Sequence, residues 1–511
     1  MTHTDEQTWL ATFGAADADA AWLLCDRHDP DAIAFTLVDA DLAGRDLSFG
    51  ELADRSRRMA AVLAAHGVRA GDRVAVLMGK RIELVVTLMA IWRLGAVHVP
   101  LFTAFAAPAV EMRVEASSVG VIVTEPAQRA KLDGLDGLDG LDGRTVLEAG
   151  PRLDAELDAA EPVTGRVAVG GDGQLVELYT SGTTGHPKAV PVPVRALAAF
   201  SSYMVFGLDV TDDDVFWNAA DPGWAYGLYY GVLGPLAIGG RNLLLDAGFG
   251  VETTYAVLER FGVTNFAAAP TVYRALSRAT TAPTVRLRRA SSAGEPLTPD
   301  VITWGKDALD VEIRDHYGQT EQGMVIVNGW HDEVRAPVRP GSMGRALPGF
   351  RAAVVDGQIA LATDSPLMWF TGYVDAPERT AERFTTDDAW YLTADIGKVD
   401  ADGYFFFTSR DDDVILAAGY RIGPVDVESV LATHPLIADV AVVGAPDEVR
   451  GQIVVAHVVL VDGVTAPDDL VTELQDMVRS RYSAHAYPRQ VHVVDSLPRT
   501  PSGKVQRYLL R

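Results

Sequence analysis

Hydrophobic positions along the first third of the chain alternate between two periods. Helical spacing over FGELADRSRRMAAVLAAHG and RIELVVTLMAIWRLGA predicts two amphipathic helices, and Ser48 with Glu51 forms a capping box at the start of the first. Short β-branched runs predict buried strands: DRVAVLM, VHVPLF and VGVIVTE. This alternation predicts an α/β fold with mainly parallel, doubly wound sheets that helices cover on both faces.

The pattern changes beyond residue 330. GSMGRALPGF and DGQIALATDS predict short strands and turns. From about residue 413, successive segments predict helix, strand, strand and helix: DVESVLATHP, DVAVVGAPD, IVVAHVVLVDG and DLVTELQDMVRSRY. We therefore expect a large N-terminal domain over 1–411 and a small α+β domain over 412–511, joined near the charged run SRDDDV.

Residues 132–143 repeat Leu-Asp-Gly four times. Asp-Gly pairs favour turns, so we interpret the repeat as an expanded surface loop. The regular aspartates leave calcium binding as the alternative.

Composition narrows the classes of partner. The 511 residues include 69 acidic and 44 basic side chains, and the net charge of −25 argues against a nucleic-acid or anionic membrane surface. Cys25 is the single cysteine, which excludes disulfides within the chain and cysteine zinc sites. The start, MTHTDEQTWL, lacks the zones of a signal peptide, and the apolar stretches are too short to cross a bilayer. We expect a cytoplasmic protein without membrane insertion.

The strongest local signal for chemistry is LYTSGTTGHPKAVPVP. Its hydroxyls, glycines and single ammonium predict a phosphate-binding loop, formed by Thr180, Ser181, Gly182, Thr183, Thr184, Gly185 and Lys188. It is not a Walker A loop, because Pro187 precedes Lys188 and Ala189 follows it. A Ser/Thr/Gly tract by itself is more often an ordinary surface loop.

This loop is followed by further motifs in a fixed order: SSAGEPL, HYGQTEQG, the long segment YLTADIGKVDADGYFFFTSRDDDVILAAGYRIGPVDVE, and PRTPSGKVQR. Together they resemble the motif set of the AMP-forming acyl-CoA synthetases, within the adenylate-forming enzyme superfamily. The resemblance spans 92–507, and DPGWAYG with GYRIGP is most similar to the acetyl-CoA and medium-chain branch. It implies ligation of a carboxylic acid to coenzyme A through an acyl-adenylate. It also implies a β-barrel-like subdomain within the N-terminal domain and a mobile C-terminal domain.

The resemblance implies roles in ATP binding for several residues. The threonine-glycine loop holds the β- and γ-phosphates, Thr320 contacts the α-phosphate, and Glu321 binds Mg²⁺ as a hard oxygen ligand. The remaining nucleotide contacts that it implies are Gly294, Glu295, Pro296, Tyr317, Gln319, Asp395 and Arg410. Ala394 departs from the family, in which glycine usually precedes the aspartate that accepts the ribose hydroxyls.

The resemblance assigns Lys504 to the first half-reaction, where its ammonium bridges the acyl carboxylate and the α-phosphate; a compact charge on a long stem suits this role. Family members then rotate the C-terminal domain about a hinge, here Asp412, for attack by the CoA thiol. Gly419 resembles the glycine of the pantetheine tunnel, where a side chain obstructs the thiol. Arg479 matches a CoA-phosphate contact, and Arg421 a basic residue of the same face.

The predicted acyl pocket is formed by Trp224, Ala225, Tyr226, Ala293 and Gly318. Acetate-using members carry tryptophan at the position of Gly318, so a larger cavity is implied here. Since each buried methylene contributes about 0.8 kcal/mol, we expect a substrate larger than propionate, such as a medium-chain, branched or aromatic acid.

Three other functions stay open from the sequence: transfer of the acyl group to a carrier protein, a luciferase-like oxidation, and a catalytically inactive nucleotide-binding sensor or scaffold. The expected partners are otherwise the small molecules ATP, CoA and a carboxylic acid. A homodimer, and a lysine acetyltransferase or deacetylase that acts on Lys504, are further partners that the resemblance allows.

Overall fold

The structure is a computed structural model of the chain. It describes residues 6–133, 144–180, 188–279, 285–410, 413–417, 420–447, 450–483, 485–500 and 504–511. Most of the Leu-Asp-Gly repeat and the predicted domain junction at residues 411 and 412 lie outside these ranges, so the interpretation of both stays a prediction.

The helices are interrupted or extended by single turns of other types, which are π-helical at Trp22–Asp26, Tyr203–Gly207 and Tyr229–Leu233 and 3₁₀-helical at Arg507–Leu509. The described α-helices are α1 (Glu6–Phe13), α2 (Phe49–Ala65), α3 (Ile82–Arg93), α4 (Ala107–Ala116), α5 (Pro126–Asp133), α6 (Pro151–Ala159), α7 (Ala196–Ser202), α8 (Ala225–Leu228), α9 (Gly234–Ile238), α10 (Val251–Arg260), α11 (Pro270–Ser277), α12 (Pro299–Ala308), α13 (Pro377–Ala381), α14 (Pro424–Leu431) and α15 (Leu470–Arg481).

The strands form three separate sheets. They are β1 (Ile33–Val38), β2 (Gly44–Ser48), β3 (Arg73–Leu77), β4 (Val97–Pro100), β5 (Val121–Thr124), β6 (Thr145–Glu148), β7 (Gln174–Thr180), β8 (Lys188–Pro193), β9 (Phe216–Asn218), β10 (Asn242–Leu245), β11 (Asn265–Ala268), β12 (Arg289–Ala293), β13 (Ile313–Gln319), β14 (Gly323–Val327), β15 (Ser342–Ala346), β16 (Ala352–Val355), β17 (Gln358–Ala362), β18 (Trp390–Val399), β19 (Phe405–Arg410), β20 (Ile415–Ala417), β21 (Tyr420–Ile422), β22 (Ile437–Asp447), β23 (Gly451–Leu460) and β24 (Gln490–Val493).

The first sheet has the strand order β6-β5-β3-β4-β7-β8 and is parallel except at its β7–β8 hairpin. Val74 and Val76 belong to one hydrophobic cluster and Ala75 and Leu77 to another, so β3 is buried on both faces. The predicted cap by Ser48 is confirmed, because its hydroxyl accepts a hydrogen bond from the Glu51 amide at 3.1 Å, whereas the Glu51 carboxylate accepts from Arg45 and Arg55. The predicted strand–helix alternation of this region is confirmed as well.

The large sheet has 13 strands in the order β16-β17-β18-β19-β15-β14-β13-β12-β11-β9-β10-β1-β2. Strands β1 and β9 to β13 pair in parallel, whereas β14 to β19 pair antiparallel with their neighbours. The antiparallel part is the small subdomain expected beyond residue 330. It places β18 and β19, which carry Asp395 and Arg410, next to the carboxyl ends of the parallel strands.

The C-terminal sheet consists of β20 to β24 and has its own hydrophobic cluster, which includes Ile415, Val442 and Leu474. Helices α14 and α15 supply residues to this cluster, so the predicted α+β unit is observed. Within the described ranges, none of the helices combines the length and the apolar character that a membrane crossing requires.

Candidate active site

The two ends of the candidate phosphate loop meet in the β7–β8 hairpin. Thr180 ends β7 and Lys188 begins β8, and the two are register partners. The Thr180 hydroxyl donates to the Lys188 carbonyl at 3.5 Å. The loop residues between them, Ser181, Gly182, Thr183, Thr184 and Gly185, lie outside the described ranges. The hairpin nevertheless shows that the loop begins and ends at one edge of the first sheet, beside the Lys188 side chain.

Lys188 and Glu321 face the same aromatic side chain. Glu321 is 8% exposed and accepts a hydrogen bond of 2.7 Å from the Tyr373 hydroxyl, while Nζ of Lys188 lies 4.9 Å from the centre of the Tyr373 ring. Burial and the charge of Arg383 lower the pKa of Lys188, and Glu321 opposes this shift. A buried carboxylate beside basic groups is suited to share a divalent cation with phosphate oxygens.

Asp395 is the centre of a second polar cluster. It is 4% exposed. Its Oδ2 accepts hydrogen bonds from the Tyr317 hydroxyl at 2.6 Å and from the Gln319 amide at 2.5 Å, and its Oδ1 pairs with the Arg410 guanidinium at 2.9 Å. Burial and the negative charge of Asp395 raise the pKa of Tyr317 well above its ordinary value. The structure therefore brings these four predicted nucleotide contacts into one hydrogen-bonded group.

Ala394 has a backbone φ of 60°, in the left-handed region. This is the position where the family usually has glycine, and glycine adopts such a conformation without steric cost. The Ala394 amide donates to the Gln358 side chain at 3.0 Å, and β18 continues through the residue. The departure noted in the sequence thus falls on a strained residue that directly precedes Asp395.

The Gly294–Pro296 segment follows β12 and faces Trp224. Gly294 has a φ of 103°, and a Cβ added to it would lie 3.5 Å from the Trp224 indole. Trp224 directly precedes α8 as its N-cap residue, and Pro296 is exposed. The structure therefore brings the predicted adenine segment against one wall of the predicted acyl pocket.

Lys504 reaches this same place from the C-terminal end of the chain. Its Nζ lies 5.8 Å from the centre of the Trp224 ring. Burial of the ammonium and the charge of Arg410 lower the pKa of Lys504, although the residue as a whole keeps solvent exposure. The carboxylates whose charges oppose this shift are those of Asp395, Glu295 and Glu321.

Hydrogen bonds on both sides of Lys504 fix its backbone. The Thr500 amide donates to the Lys504 carbonyl at 2.7 Å, and the Lys504 amide donates to the Thr500 hydroxyl at 3.1 Å. Further along the chain, Arg507 forms a bidentate pair with Glu428 on α14, with both distances 2.8 Å. The C-terminal sheet therefore positions the lysine through α14, although Lys504 lies outside that sheet.

The predicted acyl-pocket residues lie near one another, and most are buried. Ala225, Tyr226 and Ala293 belong to the main hydrophobic cluster, and the Tyr226 hydroxyl lies 3.1 Å from that of Tyr203. Gly318 has a different environment from the one the resemblance implied. A Cβ at Gly318 would lie 2.0 Å from the Gly323 carbonyl oxygen, across the β13–β14 hairpin, so the glycine is required by the backbone.

The remaining predicted positions are only partly described. Thr320 follows β13 in the turn before Glu321, and its carbonyl accepts a hydrogen bond from Tyr229 at 3.0 Å. Arg479 lies on α15, paired with Asp476 at 2.6 Å and 3.8 Å from the centre of the Tyr487 ring. Asp412, Gly419 and the Arg421 side chain lie outside the described part of the chain.

Sequence reasoning missed several basic and aromatic residues of the site. Tyr373 donates a hydrogen bond to the Glu321 carboxylate. Burial of the guanidinium acts to lower the pKa of Arg383, but electrostatic interactions with Tyr373, Tyr391 and Glu321 raise this pKa overall. Arg274 pairs with Glu295 at 2.8 Å. The sequence does carry one signal for this basic side of the site. Arg379 and Arg383 are four residues apart at one short helix, although the chain as a whole is strongly acidic.

Comparison with known proteins agrees with this geometry. The chain matches the AMP-binding enzyme family over residues 24–361 and the AMP-binding enzyme C-terminal domain over residues 426–504. It is 34% identical to the acetyl-coenzyme A synthetase of Bacillus subtilis, over 96% of this chain and 90% of that protein. An acyl-CoA synthetase structure from Brucella canis has a TM-score of 0.77 at 42% identity, over 100% of this chain and 97% of that one.

Two structures of MatB from Rhodopseudomonas palustris differ in their similarity to this one. Both cover 96% of this chain and 98% of their own. The ATP-bound form has a TM-score of 0.85 at 28% identity, and the apo form has a TM-score of 0.75 at 29% identity. These matches confirm the resemblance found in the motifs, and the chain belongs to the AMP-binding enzyme family.

Proposed function

We propose that this protein is an AMP-forming carboxylate–CoA ligase, which converts a carboxylic acid, ATP and CoA into an acyl-CoA, AMP and pyrophosphate. The observation that carries the proposal is the position of Lys504. Its ammonium lies beside Trp224, among the charges of the Asp395 cluster and of Glu321. A cation between a nucleotide site and an apolar wall is what the joining of two anions requires.

In the first half-reaction, a carboxylate oxygen of the acid bonds to the α-phosphorus of ATP. The bond between the α-phosphorus and the oxygen that bridges it to the β-phosphorus breaks, so that pyrophosphate leaves. Lys504 and Lys188 lower the repulsion between the two anions, and Asp395 accepts the ribose hydroxyls. Tyr317 and Gln319 keep the Asp395 carboxylate oriented through hydrogen bonds of 2.6 and 2.5 Å. The site thus positions two reactants that repel each other in solution.

A magnesium ion fits the Glu321 side of this site. The carboxylate is buried, a hard oxygen donor, and oriented by Tyr373. Throughout the described ranges, no group of three or more His, Cys, Asp or Glu could hold a metal alone, so phosphate oxygens and water would complete the coordination. When bound, Mg²⁺ supplies charge neutralisation to the departing pyrophosphate.

In the second half-reaction, the CoA sulfur bonds to the acyl carbon, the carbon–oxygen bond to AMP breaks, and the thiol proton is released to solvent. We propose that Lys504 lies where the thiol must enter and that it withdraws by rotation of residues 412–511 about Asp412. Two observations support a C-terminal unit that moves separately from the rest. The C-terminal sheet has a hydrophobic cluster of its own, and the TM-score to the ATP-bound form of MatB is higher than the TM-score to its apo form.

The acyl substrate that we propose is larger than propionate. The proposal is supported by the small side chains of Ala225 and Ala293, which both belong to the main hydrophobic cluster, against which Trp224 also packs. Since apolar pockets discriminate weakly between neighbouring chain lengths, activity is expected across several medium-chain, branched or aromatic acids.

Three further points belong to the proposal. Acetylation of Lys504 would remove the ammonium charge on which the first half-reaction depends, so a lysine acetyltransferase and deacetylase are proposed regulators. A cytoplasmic location is supported by the buried, unpaired thiol of Cys25. A homodimer is proposed from the family resemblance alone.

The test is pyrophosphate release from ATP across a panel of acids from acetate to octanoate and benzoate, with and without CoA. We expect acid-dependent release, and AMP and acyl-CoA formation that require free CoA. Lys504→Ala should slow pyrophosphate release by about 10²–10³-fold. Transfer to a carrier protein but not to CoA would favour the alternative enzyme, and ATP binding without pyrophosphate release would favour a sensor.

A further inference from the structure

A chain of four alternating charges connects the large sheet to the C-terminal sheet. On the large-sheet side, Glu295 pairs with Arg274 of α11 at 2.8 Å. On the other side, Arg499 pairs with Asp439 of β22 at 2.5 Å. Between them, NH1 of Arg499 lies 3.7 Å from Oε1 of Glu295. We call this chain of four residues the arginine latch.

We propose that the arginine latch holds the C-terminal sheet in the arrangement in which Lys504 enters the active site, and that Arg499 is thereby a positioning residue for adenylate formation. The proposal rests on the proposed function. Arg499 pairs with Val505 in an isolated antiparallel bridge, and Val505 directly follows Lys504. The contact with Glu295 therefore acts on a residue that is joined through this bridge to the neighbour of Lys504.

The position of Glu295 makes this contact specific to one arrangement. Glu295 belongs to the segment that faces Trp224 and, through it, Lys504. Rotation of the C-terminal sheet that withdraws Lys504 must also separate Arg499 from Glu295, because Arg499 is bridged to Val505, the residue next to Lys504, and pairs with Asp439 of that sheet. In this proposal the effect of Arg499 on adenylate formation passes through the position of Lys504.

The pairing pattern makes the latch reversible. When the sheets separate, Glu295 keeps Arg274 and Arg499 keeps Asp439, so no charge is left buried without a partner. The four side chains are all partly exposed, between 15% and 30%. Such a pair contributes modestly, which suits a contact that must break in every turnover.

The experiment separates the two half-reactions. Pyrophosphate release is measured with acid and ATP but without CoA, and thioester formation is measured from supplied acyl-adenylate and CoA. Arg499→Gln is expected to slow the first by about three- to fivefold, the effect of losing a partly exposed ion pair, and to leave the second unchanged. Arg499→Lys should restore most of the first rate, because it keeps the charge.

Arg481→Gln is the matched control. Arg481 is an exposed arginine at the end of α15 whose guanidinium donates to the Thr433 hydroxyl within the same unit, and its replacement should change neither rate. An equal loss in both half-reactions for Arg499→Gln would make Arg499 merely structural. An unchanged first rate, or no recovery in Arg499→Lys, would also overturn the proposal.

A double-mutant cycle keeps the test independent of folding. Glu295→Gln and Arg499→Gln are combined, and the loss in pyrophosphate release should be smaller than the product of the single losses, since both remove one contact. Independent, multiplying losses would refute the latch. A wild-type chain that releases no pyrophosphate refutes the proposed function, whereas a normal wild type with an unaffected Arg499→Gln variant refutes only the latch.

Discussion

Tyr373 donates a buried hydrogen bond of 2.7 Å to the Glu321 carboxylate, the proposed magnesium ligand. Burial raises the pKa of Tyr373 above its ordinary value, as does the negative charge of Glu321, so the phenol stays protonated and remains a donor. The position of the proposed metal ligand thus depends on a residue 52 positions further along the chain.

Tyr373→Phe removes this donor and leaves the ring in place. We expect the Mg²⁺ concentration for half-maximal pyrophosphate release to rise about tenfold or more, the effect typical of losing a residue that orients a metal ligand. Stability should fall by about 1–3 kcal/mol, measured by denaturant unfolding, because a buried carboxylate loses a partner.

Tyr255→Phe is the control for this change. It removes a buried hydrogen bond of 2.8 Å to the Leu276 carbonyl. Tyr255 and Leu276 belong to a different hydrophobic cluster from the one that contains Tyr373. The stability of this variant should fall by about 1 kcal/mol with no change in Mg²⁺ dependence. The same Mg²⁺ dependence in both variants would contradict the role of Tyr373.

Ala394→Gly is expected to stabilise the protein. At a φ of 60°, alanine carries a steric cost of about 1–2 kcal/mol that glycine avoids, while glycine adds about 0.5–1 kcal/mol of unfolded-state entropy. The net gain should be about 0.5–1 kcal/mol in the free energy of unfolding. The same replacement at Ala61, inside α2, should instead cost about 1 kcal/mol, and equal signs would contradict the strain at Ala394.

Local elements could be predicted because their causes are local. Helix α2 begins at Phe49 because Ser48 caps it, and β3 is a short β-branched run covered on both faces. The roles of Asp395 and Lys504 were predicted from motifs that resemble those of the family. The left-handed conformation of Ala394 was indicated only as a departure from the family, since no residue preference favours alanine there.

Contacts between distant segments could not be predicted in this way. Arg499 and Glu295 lie in different motifs, and their pairing depends on how the C-terminal sheet sits against the large one. Tyr373 carries no signal of its own, because a tyrosine in a loop is usually a packing residue. Gly318 was interpreted through its family position, whereas the backbone of the β13–β14 hairpin determines what can stand there.

The alkaline limit of adenylate formation should report on Lys504. The ammonium acts only while protonated, and its pKa lies below the ordinary lysine value of about 10.4. The value of kcat/KM for pyrophosphate release is therefore expected to fall, as pH rises, earlier than an ordinary lysine would allow.

Arginine variants identify which lysine is responsible. Lys504→Arg stays charged throughout this range, so its residual activity should lack the alkaline decline. Lys188 also has a lowered pKa, and Lys188→Arg should retain the decline if Lys504 causes it. A decline that persists in Lys504→Arg and disappears in Lys188→Arg would transfer the effect to Lys188.

Gly318→Ala should destabilise the protein strongly, by more than about 2 kcal/mol, because the new Cβ would lie 2.0 Å from the Gly323 carbonyl oxygen. Gly120→Ala is the matched control, since a Cβ there meets no atom within 4 Å, and it should be neutral or slightly stabilising. Thermal unfolding of both variants checks this. An unaffected Gly318→Ala would mean that the hairpin adapts, and a tryptophan at 318 would then be a usable probe of acyl size.

The acyl pocket is better tested at Ala225, which lies next to Trp224 at the start of α8 and is 9% exposed. Ala225→Val adds two methyl groups to the proposed cavity without altering backbone contacts. Each methylene of the acyl chain that the new side chain excludes from the pocket loses about 0.8 kcal/mol of binding. The value of kcat/KM should therefore fall by about tenfold for hexanoate and benzoate, whereas kcat/KM for acetate should stay unchanged. Equal losses for acetate and hexanoate would place the acyl chain elsewhere, since a residue outside the cavity has no means of distinguishing acid length.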